Sequence, residues 1–286
     1  MTDRRFTTLR TGGAFFEGPR WRDGRWWVSD MFAGTVWSID PSGGAQMIMT
    51  VEGQPSGLGW LPDGSLLIVS MKDRRILRRS PSGKVGMHAD LGSFGAGWAN
   101  DMVVDAAGRA YVGMFGFDLF GGGEPRPTVL VRVEPDGACA VAADELMFPN
   151  GAVITPEGDR LIVGETFARR YTAFQIRSNG ELHDRSVWAA LEFRPDGCTM
   201  DAEGMIWSAT TRASCSRIAP AGEIVDEIST PNGLRVYACM LGGAEGRTLL
   251  LSALPDGALE RTSRDHSLRQ AVLLTTAVDV PHAGLP

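Results

Sequence analysis

One short signature recurs six times along the 286-residue chain, and it restricts the fold more than any other feature. Each copy opens on a polar or small residue, runs through apolar positions, turns at a glycine and enters a second apolar stretch. The copies are EGPRWRDGRWWVSD from Glu17, SGLGWLPDGSLLIVS from Ser56, NDMVVDAAGRAYVG from Asn100, NGAVITPEGDRLIVG from Asn150, DGCTMDAEGMIWSA from Asp196 and a degenerate ACMLGGAEGRTLLLSA from Ala238. The turn glycine lies seven positions after the opening residue in the first copy and eight after it in the other five. Successive openings are 39, 44, 50, 46 and 42 residues apart. A self-similar period of this length marks a repeat architecture.

Two short runs rich in Val, Ile, Leu, Trp and Tyr around Asp-Gly or Glu-Gly read as a β-hairpin. A further strand follows in most copies, as in TVWSIDPSGG, RILRRSPSGK, TVLVRVEPDGA and YTAFQIRSNGE. Three to four strands per repeat is the arithmetic of a propeller blade. Six copies therefore predict an all-β, six-bladed β-propeller, a single domain over residues 1–286. A sandwich would not repeat its turn at a fixed offset, and an α/β chain needs helices between strands. Helical periodicity is nearly absent, with one short candidate around 142–147. The composition agrees: 43% apolar residues can fill a core, and 36 Gly with 16 Pro suit a turn-rich chain.

The net charge of −6 argues against nucleic acid as a partner. No stretch approaches 18 apolar residues, so no membrane span is expected. The start, MTDRRFTTLRTGG, has no apolar run after its charges. A cytoplasmic monomer with reduced cysteines is the expectation.

If the first strand of each copy is innermost, the six opening residues stand at one height around the mouth of the channel. They are Glu17, Ser56, Asn100, Asn150, Asp196 and Ala238. Two carboxylates and two carboxamides converging from four blades suit a hard divalent cation, since converging carboxylates without one would repel and desolvate badly. For a single Asn or Asp, turn preference would be explanation enough. For four at one repeat position, a metal accounts for more. Calcium comes first, with zinc, magnesium and manganese open.

The segments FFEGPRW, WANDMVVDAAG, FPNGAVITPEGDRLIVGET and RPDGCTMDAEGMIW resemble the gluconolactonase/regucalcin (senescence marker protein) family of six-bladed propellers, and the likeness spans nearly the whole chain. That resemblance implies a lactone-opening hydrolase acting on a small lactone or ester. It implies Glu17, Asn150 and Asp196 as metal ligands, Asp196 as general base and Asn100 as a substrate-side group. One departure matters. Sugar-lactonase members often carry an Arg two residues before the first Asn, where this chain has Trp98, and Met102 stands where Gly is usual. With the Gly-rich loop MFGFDLFGGGEPRPT from Met114, whose Phe115, Phe117 and Phe120 suggest an apolar rim, this shifts the expected substrate toward a less polar lactone. Trp98, Phe115 and Phe117 join Asn100 as expected substrate contacts.

Other features carry less. His88, His183, His266 and His282 are expected in turns or the tail, and neither H-E-x-x-H nor G-x-S-x-G occurs. Cys198 is expected to pack beside the site, and Asp101, Asp201 and Glu203 to be turn or hairpin residues. Two further functional readings stay open: phosphotriester or fluorophosphate hydrolysis, which the same ring could serve, and a non-catalytic calcium-binding propeller.

Overall fold

The computed structural model describes residues 4–283, so the first and last three residues of the expected 1–286 domain lie outside the described residues. It contains six four-stranded antiparallel sheets. Blade one comprises Phe16–Arg22, Arg25–Asp30, Thr35–Ile39 and Ala45–Thr50, and blade two Pro55–Trp60, Leu66–Ser70, Arg75–Arg79 and Val85–Asp90. Blades three, four and five begin at Ala99, Pro149 and Cys198 and follow the same order. Blade six is built from both ends of the chain. Its inner three strands are Arg235–Gly242, Thr248–Leu254 and Ala271–Ala277, and its outermost strand is Thr7–Gly13, paired antiparallel to Ala271–Ala277. That pairing closes the ring and leaves the N-terminal strand no free role.

The first strands pack against one another in ring order, so they are innermost as expected. Burial falls along the radius: Pro55–Trp60 and Leu66–Ser70 are almost wholly buried, whereas Val85–Asp90 at the rim is mostly exposed. The six turn glycines, Gly24, Gly64, Gly108, Gly158, Gly204 and Gly246, all have positive φ, between 70° and 86°. This is the backbone region that glycine enters without steric cost. In blade two, the Gly64 N–H bonds Leu61 O and the Leu61 N–H bonds Ser65 O, a three-residue loop ending in a left-handed glycine. Blade one instead turns on Asp23 and Gly24 alone, both at positive φ, with Arg22 facing Arg25. This two-residue turn is why its glycine comes seven rather than eight positions after the opening residue.

Three local expectations are corrected. Residues 142–147 are not helical: Cys139–Leu146 is the outer strand of blade three, held by pairing to Thr128–Val133. The α-helix among the described residues is Ala258–Arg264, between the second and third strands of blade six. His88 and His183 lie in the outer strands Val85–Asp90 and Leu182–Ala190, not in turns. No helix among the described residues is long and apolar enough to cross a membrane.

Candidate active site at the channel mouth

A β-bulge sets the site. Strand pairing slips between Glu17 and Arg20, Pro55 and Leu58, Ala99 and Met102, and Pro149 and Ala152, at or beside the opening residue each time. A bulge re-aims a side chain out of the ladder, here into the channel. The next residue is Gly in four blades, because the inner strands touch there. A Cβ on Gly18 would stand 2.6 Å from Ser56 O, and one on Gly151 would stand 2.5 Å from Asp196 O.

Glu17, Asn100, Asn150 and Asp196 all line one cavity of ≈ 280 Å³. Ser56 and Ala238 are buried at the silent positions of blades two and six. Asn150 donates Nδ2 to Asp196 Oδ1 at 2.6 Å and to Thr166 Oγ1 at 3.1 Å. Thr166 in turn donates to Pro195 O at 2.8 Å, which fixes the direction of the relay. Both amide hydrogens of Asn150 are thereby engaged, and its carbonyl oxygen remains as a donor atom for the cavity. Asn100 Nδ2 donates to Pro149 O at 3.3 Å, and Glu17 Oε2 accepts from the Gly18 N–H at 3.1 Å.

Electrostatics single out the two acids. Burial, then the neighbouring Asp196 and Asp101 carboxylates, push the Glu17 carboxyl well above its ordinary range. Burial, with a smaller push from Asp101, lifts Asp196 to about 7, although its bonds from Asn150 and the Gly197 N–H oppose the rise. Two carboxylates raised by desolvation and by neighbouring negative charge suit a cation placed between them. Among the described residues no three His, Cys, Asp or Glu side chains are spaced to hold a metal ion by themselves. The donor set that fits is therefore two carboxylates completed by carboxamide oxygen, hard ligands for a hard cation.

The rest of the wall is largely apolar. Met31, Met71, Phe115 and Thr166 follow the second strands of the first four blades, Thr211 lies near the end of the second strand of blade five, and all five line the cavity. The same repeat that supplies the ring therefore supplies this wall, a signal present in the sequence but not read from it. Phe15, Leu119, Phe120, Phe148, Phe167, Tyr237 and Leu259 complete it, and Arg194 and Arg235 also line the cavity. Phe115 stacks on Phe148 at 4.4 Å. Phe117 is buried against Phe148 and Phe167, behind the wall, and Trp98 packs on Phe115 and Phe120 under Lys72. Of the expected substrate contacts, Asn100 and Phe115 therefore face the cavity, while Trp98 and Phe117 stand one layer back.

Asp101 is a strand residue of the blade-three hairpin. It is no turn residue but a buried member of the innermost strand of blade three, paired with Arg20 of blade one at 2.8 Å. Asp201 is a turn residue as expected: it accepts from the Glu203 and Met205 N–H groups and pairs with Arg217, which also binds Glu203. Cys198 is buried beside Tyr171, where desolvation raises its thiol far above the ordinary range, so it packs and does not ionise. All four cysteines are free thiols.

Comparison with known proteins identifies the family and the fold. Residues 15–254 match the SMP-30/gluconolactonase/LRE-like region. The chain is 30% identical to the pentonolactonase XacC of Haloferax volcanii, over 98% of this chain and 94% of that one. It is 24% identical to a gluconolactonase of Zymomonas mobilis subsp. mobilis, over 80% of this chain and 69% of that one. In fold it is similar to the calcium-binding protein regucalcin of Agrobacterium tumefaciens str. C58, with a TM-score of 0.81, 19% identity and coverage of 99% and 97%. With its ring of Glu17, Asn100, Asn150 and Asp196 at the mouth of six blades, the chain belongs to the SMP-30/gluconolactonase/LRE-like family.

Proposed function

We propose that this protein is a divalent-metal-dependent lactonase whose substrate is less polar than an aldonolactone. The observation that carries the reading is the convergence of two desolvated carboxylates and two carboxamides on one ≈ 280 Å³ cavity. The lactonase relatives support the reaction class.

Glu17, Asn150 and Asp196 would hold the cation, with calcium the first choice for an all-oxygen donor set. When bound, the cation supplies Lewis-acid polarisation of the substrate carbonyl and keeps the carboxylates ionised. Asp196 is the general base. One of its oxygens accepts from Asn150 at 2.6 Å, and the carboxylate takes a proton from the attacking water as the new carbon–oxygen bond forms. The ring carbon–oxygen bond then breaks, and the leaving alkoxide recovers that proton from Asp196, so the base is regenerated. Asn100 orients the substrate carbonyl from the neighbouring blade. The wall of Met31, Met71, Phe115 and Phe148 offers few partners for sugar hydroxyls, and it excludes water from one side of the ring.

A proton-release assay across aldonolactones, alkyl and aryl lactones and phosphotriesters, with and without chelator, tests this. The expected result is fastest turnover of the alkyl or aryl lactones, abolished by chelation and restored by calcium. Turnover that ignores the chelator overturns the metal mechanism. Far faster turnover of aldonolactones overturns the substrate assignment, and preference for phosphotriesters overturns the reaction class.

A further inference from the structure

Among the described residues two guanidinium groups, Arg194 and Arg235, line the cavity at the channel mouth, and they differ in what they touch. Arg235 is engaged: its Nε pairs with Asp256, and its Nη1 donates to Thr211 O at 2.9 Å. No carboxylate among the described residues pairs with Arg194, whose Cζ instead lies 4.8 Å from the centre of the Phe167 ring. Phe167 is itself part of the cavity wall and is held by Phe117 and Phe148, with ring centres 5.3 Å away in each case. An aromatic ring steadies a cation but offers no lone pair to the five N–H donors of a guanidinium. Arg194 also stands two residues before Asp196, the proposed base, across Pro195. The residue before a proline is held out of the helical region, and Pro195 O is anchored by the Thr166 hydroxyl at 2.8 Å. Two extended residues span at most about 7 Å, so one short anchored segment carries both the base and the unpaired cation.

A substrate that filled this cavity without answering Arg194 would strip water from an ion and leave its donors unmet, which is costly. Neighbouring hydroxyls do not answer it. Thr166 Oγ1 accepts from Asn150 and donates to Pro195 O, and Thr211 Oγ1 donates to Thr210 O at 2.7 Å. A sugar hydroxyl offers a neutral acceptor to one N–H, whereas a carboxylate supplies the missing charge and matches the planar fork with two parallel bonds. We propose that Arg194 selects lactones that bear a carboxylate arm on an otherwise apolar skeleton. The arm meets the guanidinium, and the ring carbons lie against Phe115, Phe148 and Phe167 of the wall. This names the substrate class of the lactonase reading above and rests on it.

The test uses two probes of one shape: a γ-butyrolactone carrying an acetate arm, and the same ring carrying an acetamide arm. Wild type is expected to favour the acetate probe in kcat/KM by about tenfold or more, the scale of hydrogen bonds to a charged group, and to show the difference in KM. Arg194→Gln is expected to bring the ratio of the two probes to within about twofold of one. Arg194→Lys, which keeps the charge and loses the fork, should fall between. The ratio is internal to each enzyme, so a general loss of activity cancels, and Arg194 is exposed, so its replacement should leave the thermal melt unchanged. Binding gives a second readout: a cyclopentanone with the same acetate arm, which hydrolysis cannot open, should bind Arg194→Gln about tenfold or more weaker by calorimetry. A wild-type ratio near one, or a wild-type ratio that survives in Arg194→Gln, overturns the proposal. So does a loss of aldonolactone turnover in Arg194→Gln with the probe ratio intact, which would make Arg194 a hydroxyl contact. Wild type that opens no lactone of any class sinks the lactonase reading itself, a different outcome from lactones opened without regard to the charge of the arm.

Discussion

Blades one, three, four and five present Glu17, Asn100, Asn150 and Asp196 to the channel mouth, whereas blades two and six present Ser56 and Ala238 from the same repeat position. The strands around them have one architecture, and a pairing slip recurs beside the opening residue in blades one and two alike. The backbone therefore supplies a height and a direction, and a single side chain decides whether a blade takes part in the chemistry. The silent blades are not empty of purpose. Met71 follows the second strand of blade two and Tyr237 precedes Ala238, and both line the cavity. Under the proposed function, four blades make a polar half for the reacting carbonyl, and two help make an apolar half for the remainder of the substrate.

The most severe way to probe that division is to remove the proposed base while sparing its shape. Asp196→Asn is expected to lower kcat by about 10²–10⁴, the range for a general acid–base residue. Its fold should be unaffected in a thermal melt, because the buried acid it replaces is already costly to ionise. Glu17→Gln, one blade away, is expected to act on cation affinity: a calcium titration should show weakening, and turnover should recover in part at saturating metal. If both variants lowered kcat alike and left calcium binding untouched, the separate roles assigned to these blades would be wrong.

A second probe uses the interblade contact and leaves the side chains of the ring intact. Gly151→Ala would place its Cβ 2.5 Å from Asp196 O and 2.7 Å from Cys198 N, both backbone atoms with little freedom to yield. Overpacking of this kind costs about 1–3 kcal/mol. The variant should show a lowered denaturation midpoint together with reduced turnover, since Asp196 is the residue displaced. Full activity with unchanged stability would mean that the blades are looser at the ring than the glycines imply.

The pH dependence separates protein with and without cation. Asp196 has a folded pKa near 7, above its ordinary 3.8, and Glu17 is raised as well. The folded state thus binds more protons than the unfolded chain between those values, so stability is greatest below about pH 4 as far as these groups are concerned. It is lost as pH rises through about 7. Chelator-stripped protein should therefore melt at a lower temperature at pH 8 than at pH 6. Saturating calcium should reverse that trend, because binding requires the ionised carboxylates and releases their protons. Melts of both forms across this range check the sign.

Much of this was legible in the sequence because the repeat is enforced by turn stereochemistry. Each signature glycine has the positive φ that its offset implied, and even the odd spacing in blade one has a cause in the two-residue Asp23–Gly24 turn. What escaped notice lacked a periodic marker. The closing strand Thr7–Gly13 is mostly exposed and polar, without alternation, and only its pairing to Ala271–Ala277 makes it a strand. Residues 142–147 contain good helix formers but are held extended by Thr128–Val133, tertiary context overriding local preference. Asp101 did carry a signal, Asn-Asp where other copies read Asn-Gly, Glu-Gly or Asp-Gly, and its meaning depended on knowing that Arg20 reaches it from another blade. Phe148, with φ of +62°, just precedes the innermost strand of blade four, and Tyr237 sits in that of blade six one residue before the opening position; both reach the cavity from ahead of the point where the repeat alignment begins.

The gentlest probe is the silent blade itself. Ser56 is buried, with 1% exposure, and the contact it makes to a neighbouring strand is through its backbone oxygen, which accepts from Ser29 Oγ at 2.6 Å. Ser56→Ala removes the hydroxyl and keeps that contact, so the stability change should stay within about 1 kcal/mol, the net scale of one hydrogen bond. Turnover and calcium affinity should remain within about twofold, since Ser56 does not touch the cavity that Glu17, Asn150 and Asp196 line. A large loss of calcium affinity from this one hydroxyl would make blade two a ligand-bearing blade. The ring would then have five members, and the apolar half would shrink to blade six.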